Sequence, residues 1–246
     1  MNVTILPISN LPEVKPGDDL VGLFEQAEPT LEPGDILVVT QKVVSKAEGR
    51  LVSLAEVKPG PKALEIAARW DKDPALVELV LKESSELLRE ERGVLISRTK
   101  HGFICANAGI DLSNVDGGAT ACLLPLDCDL SARGLAEGLK EKFGFSIPVV
   151  VSDSFGRPWR LGITNVALGS YGLQPLLDLR GTVDACGMEM KATVIAVADT
   201  LAACTELVVG KTTGFGATIV RGYSYQADTT SGVKDTVRPI EDCFFV

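Results

Sequence analysis

Apolar positions along this chain fall into short blocks separated by turn-forming residues. Asp35-Ile36-Leu37-Val38-Val39 is a β-branched apolar run entered from Gly34, a pattern that predicts a buried strand. Pro16-Gly17, Pro33-Gly34 and Pro59-Gly60 are turn signals that frame short elements on either side of it. Two helices are expected further on. Asp73-Pro74 supplies an N-cap followed by proline at the first helical position. Leu76, Leu79, Val80 and Leu87 then share one face, opposite Glu83, Glu86, Glu90 and Glu91. The second helix spans about Ser131 to Phe143, where Leu135, Leu139 and Phe143 stack and Gly144 is the stop. Ile147-Pro148-Val149-Val150-Val151 reads as a strand that delivers Ser152 and Asp153 at its C-terminal end. Small and apolar residues from Met190 to Leu207 suit a buried helix, and Val208 to Gly222 returns to strand-like chemistry.

Helical and strand patterns alternate without a repeat and without a βαβ period of constant length. The expectation is an α+β fold, not a doubly wound sheet. No low-complexity linker divides the chain, so residues 1–246 read as a single domain; if it has two lobes, they are interwoven and the chain crosses between them more than once. With 246 residues it can bury a sizeable core without disulfide staples. A net charge of −9 and a pI near 4.8 argue against sequence-independent nucleic-acid binding. No apolar run is long enough for a membrane span, and Met1 to Pro7 lacks the basic segment of a signal peptide. The six cysteines include no C-x-x-C pair and the one histidine is His101, which disfavours a zinc site and Ser-His-Asp or Cys-His catalysis. Scattered thiols of this kind fit a cytoplasmic protein.

Four segments carry candidate chemistry. Asn107-Ala108-Gly109-Ile110-Asp111 runs on to Gly118 between apolar strands at Phe103–Ala106 and Cys122–Leu124. It reads either as a long turn with local Asx bonds, or as a hard-cation and phosphate site with Asp111 as oxygen ligand and Asn114 as neutral partner. Ser152-Asp153-Ser154-Phe155-Gly156-Arg157 places a carboxylate beside hydroxyls, with Arg157 and Arg160 close behind. That set suits a metal bound to a phosphorylated ligand, and it equally suits a structural Asp–Arg turn; Trp159 reads as packing. Val209-Gly210-Lys211-Thr212-Thr213-Gly214-Phe215-Gly216 contains Gly-Lys-Thr but is no Walker A loop. Thr205 stands where the first glycine is needed, and strand residues follow where a helix should start. A glycine-rich loop approaching phosphate by another geometry remains open. Thr40-Gln41-Lys42-Val43-Val44-Ser45-Lys46 brings two lysines to the end of a strand, as an anion site or as solvated charge.

Together these segments resemble the family of coenzyme F420-0:L-glutamate ligases, nearly end to end. The resemblance rests on Leu11-Pro12 with Pro16-Gly17-Asp18-Asp19-Leu20, and on Val44-Ser45-Lys46-Ala47-Glu48-Gly49-Arg50. It continues through Asn107-Ala108-Gly109-Ile110-Asp111 with Ser113-Asn114-Val115, Asp153 with Gly156-Arg157, and Val220-Arg221-Gly222. It implies an α+β fold of the family's own type in a homodimer. It also implies attachment of γ-linked L-glutamate to the deazaflavin coenzyme F420-0, with GTP as co-substrate and Mg²⁺ or Mn²⁺ as cofactor; a monovalent cation is left open. By resemblance, Leu11, Pro12, Glu13, Val14, Gln41, Lys42, Lys46 and Asn114 fall at nucleotide-contacting positions. Val209, Gly210, Lys211, Thr212, Thr213, Gly214, Phe215 and Gly216 form the loop that closes over the nucleotide. Asp111, Asp153 and Ser154 fall at metal positions, and Arg157 is the expected catalytic cation. Two departures stand out: Lys211 occupies a position often acidic in relatives, and Ser154 one that is often Thr. Two alternatives accompany this reading: a γ-glutamyl ligase acting on another acceptor such as a folate-like molecule, and a non-catalytic nucleotide-binding homologue.

Overall fold

The computed structural model describes residues 2–27, 29–112, 118–210 and 214–243. Its centre is a five-stranded sheet in the order β1-β12-β2-β8-β9. These strands are β1 (Thr4–Pro7), β2 (Ile36–Thr40), β8 (Val149–Arg157), β9 (Arg160–Tyr171) and β12 (Ala217–Arg221). Only the β2–β8 pair is parallel, in the register Leu37↔Val149 through Thr40↔Ser152; the other neighbours are antiparallel. The continuous apolar runs of β2 and β8 follow from cover on both faces, since no position of either run can turn to water. Leu37, Val39, Val149, Val151 and Ile219 bury one face with Phe24 of α1 (Leu20–Gln26), Val43 and Val44 of α2 (Gln41–Ala47), and Leu135 and Leu139 of α5 (Cys128–Phe143). Ile36, Val38, Val150 and Val220 bury the other against Val197, Ala198 and Leu201 of α6 (Val197–Thr205).

After α2 the chain leaves this sheet. It forms β3 (Leu51–Ser53), α3 (Pro61–Trp70), α4 (Pro74–Glu83), the strands β4 (Ser84–Glu91), β5 (Val94–Thr99) and β6 (Ile104–Ala106), and β7 (Thr120–Cys122), then returns as α5. β4, β5 and β6 make a second antiparallel sheet, β3 pairs with β7, and Ala63, Ile66, Val77, Val80 and Leu95 form a separate core between α3, α4 and β5. β10 (Leu176–Asp178) and β11 (Val194–Ala196) form a small ladder before α6. The architecture is α+β. Arg50 ties the two groups of elements: its Nε donates to the Leu124 carbonyl at 2.8 Å and its Nη2 to Glu83 at 2.6 Å. On the first sheet Arg221 grips the buried Asp35 carboxylate with two hydrogen bonds of 2.8 Å, a fork that joins β12 to the turn before β2.

Two capping signals act as expected: Asp73 accepts from Ala75 N at 2.7 Å with Pro74 at N1, and Gly144 ends α5 with φ of 80°. The start of α5 lies at Cys128, ahead of the expected Ser131, because Asp127 caps it through Leu130 N at 2.9 Å. Three further expectations are corrected. α4 stops at Glu83, where Ser84 turns extended and its hydroxyl bonds the Val80 carbonyl at 2.6 Å; Leu87, Glu86, Glu90 and Glu91 therefore lie on β4. Leu87 and the glutamates satisfy both a 3.6-residue and a two-residue period over so short a stretch, and pairing with β5 decides between them. The helix expected from Met190 to Leu207 is confined to Val197–Thr205, because Val194 and Ile195 are drawn into the ladder with β10. Finally, β8 does not end at Ser152-Asp153 but continues to Arg157, so Asp153 sits within a strand.

Helix and sheet approach closely at Gly169 of β9, where any Cβ would overlap the Cys128 carbonyl in the first turn of α5. Gly169→Ala must push α5 off the sheet, and overpacking of this kind costs about 3 kcal/mol. A matching drop in the urea unfolding free energy is expected; an unchanged midpoint would show that the contact yields freely.

Candidate active site

The parallel register fixes the site. Thr40 and Ser152 are neighbours at the same end of the sheet, and the Thr40 amide donates to the Gly216 carbonyl at 2.9 Å. The three segments that follow or precede these residues therefore converge: α2, the continuation of β8, and the glycine-rich approach to β12. Between them lies a cavity of about 630 Å³.

Gln41, Lys42 and Lys46 line it from α2, with the two lysines one helical turn apart on one face. The Lys42 ammonium pairs with Asp111 at 2.7 Å, and Lys46 with Glu13 at 3.6 Å. Gln41 is buried, and its side-chain oxygen accepts the Ser45 hydroxyl at 2.8 Å. Asp111 reaches the cavity through a backbone held in an uncommon conformation. Asn107, Ala108 and Gly109 have φ of 51°, 53° and 70° in succession. Left-handed backbone is strained for the first two, and burial of Ala108 in the second core together with the Ile110 N–H to Asn107 carbonyl bond holds it there. Paired backbone bonds between Asp111 and Cys122, at 3.0 and 2.8 Å, then aim the carboxylate. Thus the Asn-Ala-Gly-Ile-Asp segment works as a bracket for its last residue.

Asp153 and Ser154 enter from β8. A chain of hydrogen bonds orients the serine. Thr205 donates its hydroxyl proton to the Ala202 carbonyl at 2.7 Å and so receives from Asn165 Nδ2 at 3.4 Å. That fixes the Asn165 amide with its oxygen toward Ser154, whose hydroxyl donates to it at 2.8 Å. With its proton directed at Asn165, Ser154 Oγ offers lone pairs elsewhere. Burial, reinforced by the negative charge of Asp153, pushes the nearby Cys105 thiol up to about 12.

Most of the residues singled out in the sequence meet here. Glu13, Gln41, Lys42, Lys46, Asp111, Asp153, Ser154, Val209, Gly210, Gly214, Phe215 and Gly216 all line the cavity. Asn114, Lys211, Thr212 and Thr213 lie outside the described residues. Val14 turns inward to the core, while Leu11 and Pro12 are half-buried beside the site without lining the cavity. Arg157 is placed elsewhere: it is exposed at the tip of the β8–β9 hairpin, where its Nη2 donates to the Leu161 carbonyl at 3.2 Å. Because β8 runs four residues past Asp153, the expected catalytic cation is carried away from the cavity, and among the described residues the lysines of α2 are the cations that line it. Thr40 and Ser152, named in the sequence only as members of candidate segments, also line it, as do Asn165 and Glu206, which sequence reasoning passed over. Asn165 was accessible in principle by folding the hairpin about Pro158-Trp159, which sets it opposite Ser154. Glu206 had no local signal, since it comes from the end of a helix whose start was misread.

Asp111, Asp153, Glu206 and the Ser154 hydroxyl form a donor set of hard oxygens only. Among the described residues no group of three His, Cys, Asp or Glu stands close enough to enclose a metal alone. Oxygen donors of this number fit Mg²⁺ or Mn²⁺, which draw their other ligands from phosphate and water. The fold is α+β, and its cavity brings two lysine ammonium groups beside a set of carboxylates. The family model for F420-0:gamma-glutamyl ligase matches residues 9–222, and the chain belongs to that family. It is similar to the coenzyme F420:L-glutamate ligase of Methanothermobacter thermautotrophicus, with 45% identity over 98% of both chains. It also resembles the proteins of that name from Methanopyrus kandleri, with 42% identity over 94% of this chain and 91% of the relative, and Archaeoglobus fulgidus, with 41% over 90% and 88%. Among the described residues no helix is long and apolar enough to cross a membrane.

The raised Cys105 thiol yields a pH prediction. It keeps its proton in the folded chain to about 12, whereas an unfolded thiol loses its proton near pH 8.5. Above that value the unfolded state binds fewer protons, so this contribution is intact below about pH 8.5 and is lost on rising toward 12. Urea titrations at stepped alkaline pH should show unfolding free energy falling more steeply in the wild type than in Cys105→Ser. Equal slopes would contradict the assignment.

Proposed function

We propose that this chain attaches L-glutamate to coenzyme F420-0 in a GTP-dependent reaction that passes through an acyl phosphate. The observation that carries the reading is the meeting of Asp111, Asp153, Lys42 and Lys46 on one cavity, in a chain whose relatives are named coenzyme F420:L-glutamate ligase. Joining a carboxylate to an amine in water is uphill, and a carboxylate oxygen leaves poorly. Phosphorylation of the acid addresses both problems and asks the protein mainly for positioning and charge neutralisation.

In this scheme an oxygen of the acceptor carboxylate attacks the γ-phosphorus of GTP, the bond to the β-phosphate oxygen breaks, and GDP leaves. The α-amine of glutamate then attacks the acyl carbon, phosphate departs with its electron pair, and the amine proton passes to solvent. Lys42 and Lys46 face the phosphate oxygens and offset their charge. Gly214 has open space where a side chain would stand, so the nucleotide can approach its backbone closely, whereas the missing side chain of Gly216 makes room for Val43 of α2. Asp111 and Asp153, with Ser154 presented by Asn165, would hold Mg²⁺ or Mn²⁺. That ion would neutralise charge on the phosphate oxygens and keep attacking and leaving groups in line. No histidine is needed, and His101 does not line this cavity.

Asp153→Asn should lower GDP release in the presence of acceptor, glutamate and Mn²⁺ by about 100-fold or more with unfolding temperature unchanged. Unaltered turnover would refute the role of Asp153. Labelled oxygen in the acceptor carboxylate should appear in released phosphate, and its absence would exclude the acyl phosphate.

A further inference from the structure

A second cavity, of about 590 Å³, lies beyond β9, between the β4–β6 sheet and the segment from Lys234 to Cys243. Its chemistry differs from that of the first. Arg98, Lys234 and Arg238 bring three cationic side chains to its wall in a chain of net charge −9. Among the described residues Asp199 is the one carboxylate there, and it already accepts the Ala167 amide at 2.9 Å. Arg98 is steadied by Glu86 at 3.6 Å and Arg238 by the Asp242 carbonyl at 3.4 Å. Phe103 and Phe155 supply flat apolar surface. The His101 ring stacks on Phe103, with centroids 5.9 Å apart and planes inclined by 14°. The Pro125 carbonyl can only accept, so His101 Nε2 donates to it at 2.7 Å and the stacked pair is fixed in orientation. The combination of flat walls with cations suits a ligand that is both aromatic and anionic.

The position of this cavity relative to the first adds the second argument. Asp153 and Phe155 are two residues apart on a regular stretch of β8 and share one face. At the usual strand rise they stand about 7 Å apart. Asp153 lines the first cavity and Phe155 the second. A molecule whose ring system rests against Phe155 and Phe103 therefore needs only a short chain to bring a carboxylate to Asp153.

We propose that the second cavity is the acceptor site, which takes an aromatic molecule bearing anionic groups and presents its carboxylate along β8 to the phosphate-handling cavity. The assignment rests on the ligase reading above, in which the acceptor is a deazaflavin ending in a carboxylate. Glutamate itself, lacking a ring, does not need the aromatic walls, and the nucleotide is accounted for by the first cavity. Lys234 and Arg238 are exposed, so reversing their charge leaves the core untouched.

The test compares wild type, Lys234→Glu with Arg238→Glu, and Lys46→Ala. Product formation is followed against each substrate in turn, and calorimetry follows binding of the deazaflavin acceptor alone. The double charge reversal should raise acceptor KM and Kd by about tenfold or more while GTP and glutamate KM stay within about twofold. Lys46→Ala should do the opposite, raising GTP KM and sparing acceptor Kd. If wild type makes product and the charge reversal leaves acceptor KM and Kd unchanged, or alters glutamate KM instead, the site assignment is wrong and the ligase reading survives. If wild type binds acceptor in a manner sensitive to the reversal yet makes no product, the cavity assignment stands and the ligase reading fails. Neither binding nor product would overturn both.

Discussion

The parallel pairing of β2 with β8 is the constraint on which the rest of the site depends. Parallel strands present the same end of each chain to the same edge of the sheet. With Thr40 opposite Ser152, whatever follows each of them must occupy a common space. One strand is followed by a helix that carries Lys42 and Lys46, and the other continues as Asp153 and Ser154. An antiparallel pairing would send these groups to opposite ends. A one-residue slip would turn Val39 and Val151 from the face packed by α2 and α5 to the face packed by α6, into space shaped for other side chains. The apolar alternation that buries both faces thereby also sets the registry of the polar residues at the edge.

Placing Asp111 and Asp153 on one cavity carries an electrostatic cost, since like charges in a partly buried space repel. The Lys42 ammonium offsets it by pairing with Asp111 at 2.7 Å. Glu13 and Lys46 form a looser pair of 3.6 Å on the same cavity, with the glutamate well exposed. Exposed pairs of that kind contribute little to stability. They are better understood as lowering the negative charge of a cavity lined by Glu13, Asp111, Asp153 and Glu206. The strain in Asn107 and Ala108 belongs to the same economy of placement: two left-handed residues and a glycine turn the chain sharply enough to return Asp111 to the side of Cys122.

How much of this was legible in the sequence follows from the range of each signal. Caps and turn residues act within four positions, so the starts of α4 and the end of α5 were readable from Asp73-Pro74 and Gly144. The doubly buried strands were readable because their runs are uninterrupted. Leu87 and the stretch ahead of Val197 were not, since strand partners far along the chain decided them. The site residues emerged largely through family likeness and less through local chemistry, because Lys42, Asp111 and Asp153 are brought together only by the sheet. Arg157 shows the limit of inference by proximity in sequence: four residues from Asp153 along an extended strand is about 13 Å, too far for one cavity.

That same extension explains why β8 and β9 run on beyond the core of the sheet. A strand ending at Ser152 would complete the helix-facing core and still leave Asp153 in a loop. Continuing the hairpin holds Asp153, Ser154 and Phe155 in fixed alternation, with Asn165 locking Ser154 from across the ladder. Alternation on a strand separates functions without separating them far, because consecutive side chains face opposite ways and every second one returns to the same face within about 7 Å. Asp153 and Phe155 use one face for a carboxylate and an aromatic wall, while Ser154 uses the other for its bond to Asn165. A rigid hairpin thus does what a loop could do only by being ordered on binding, and it avoids the entropic cost of that ordering.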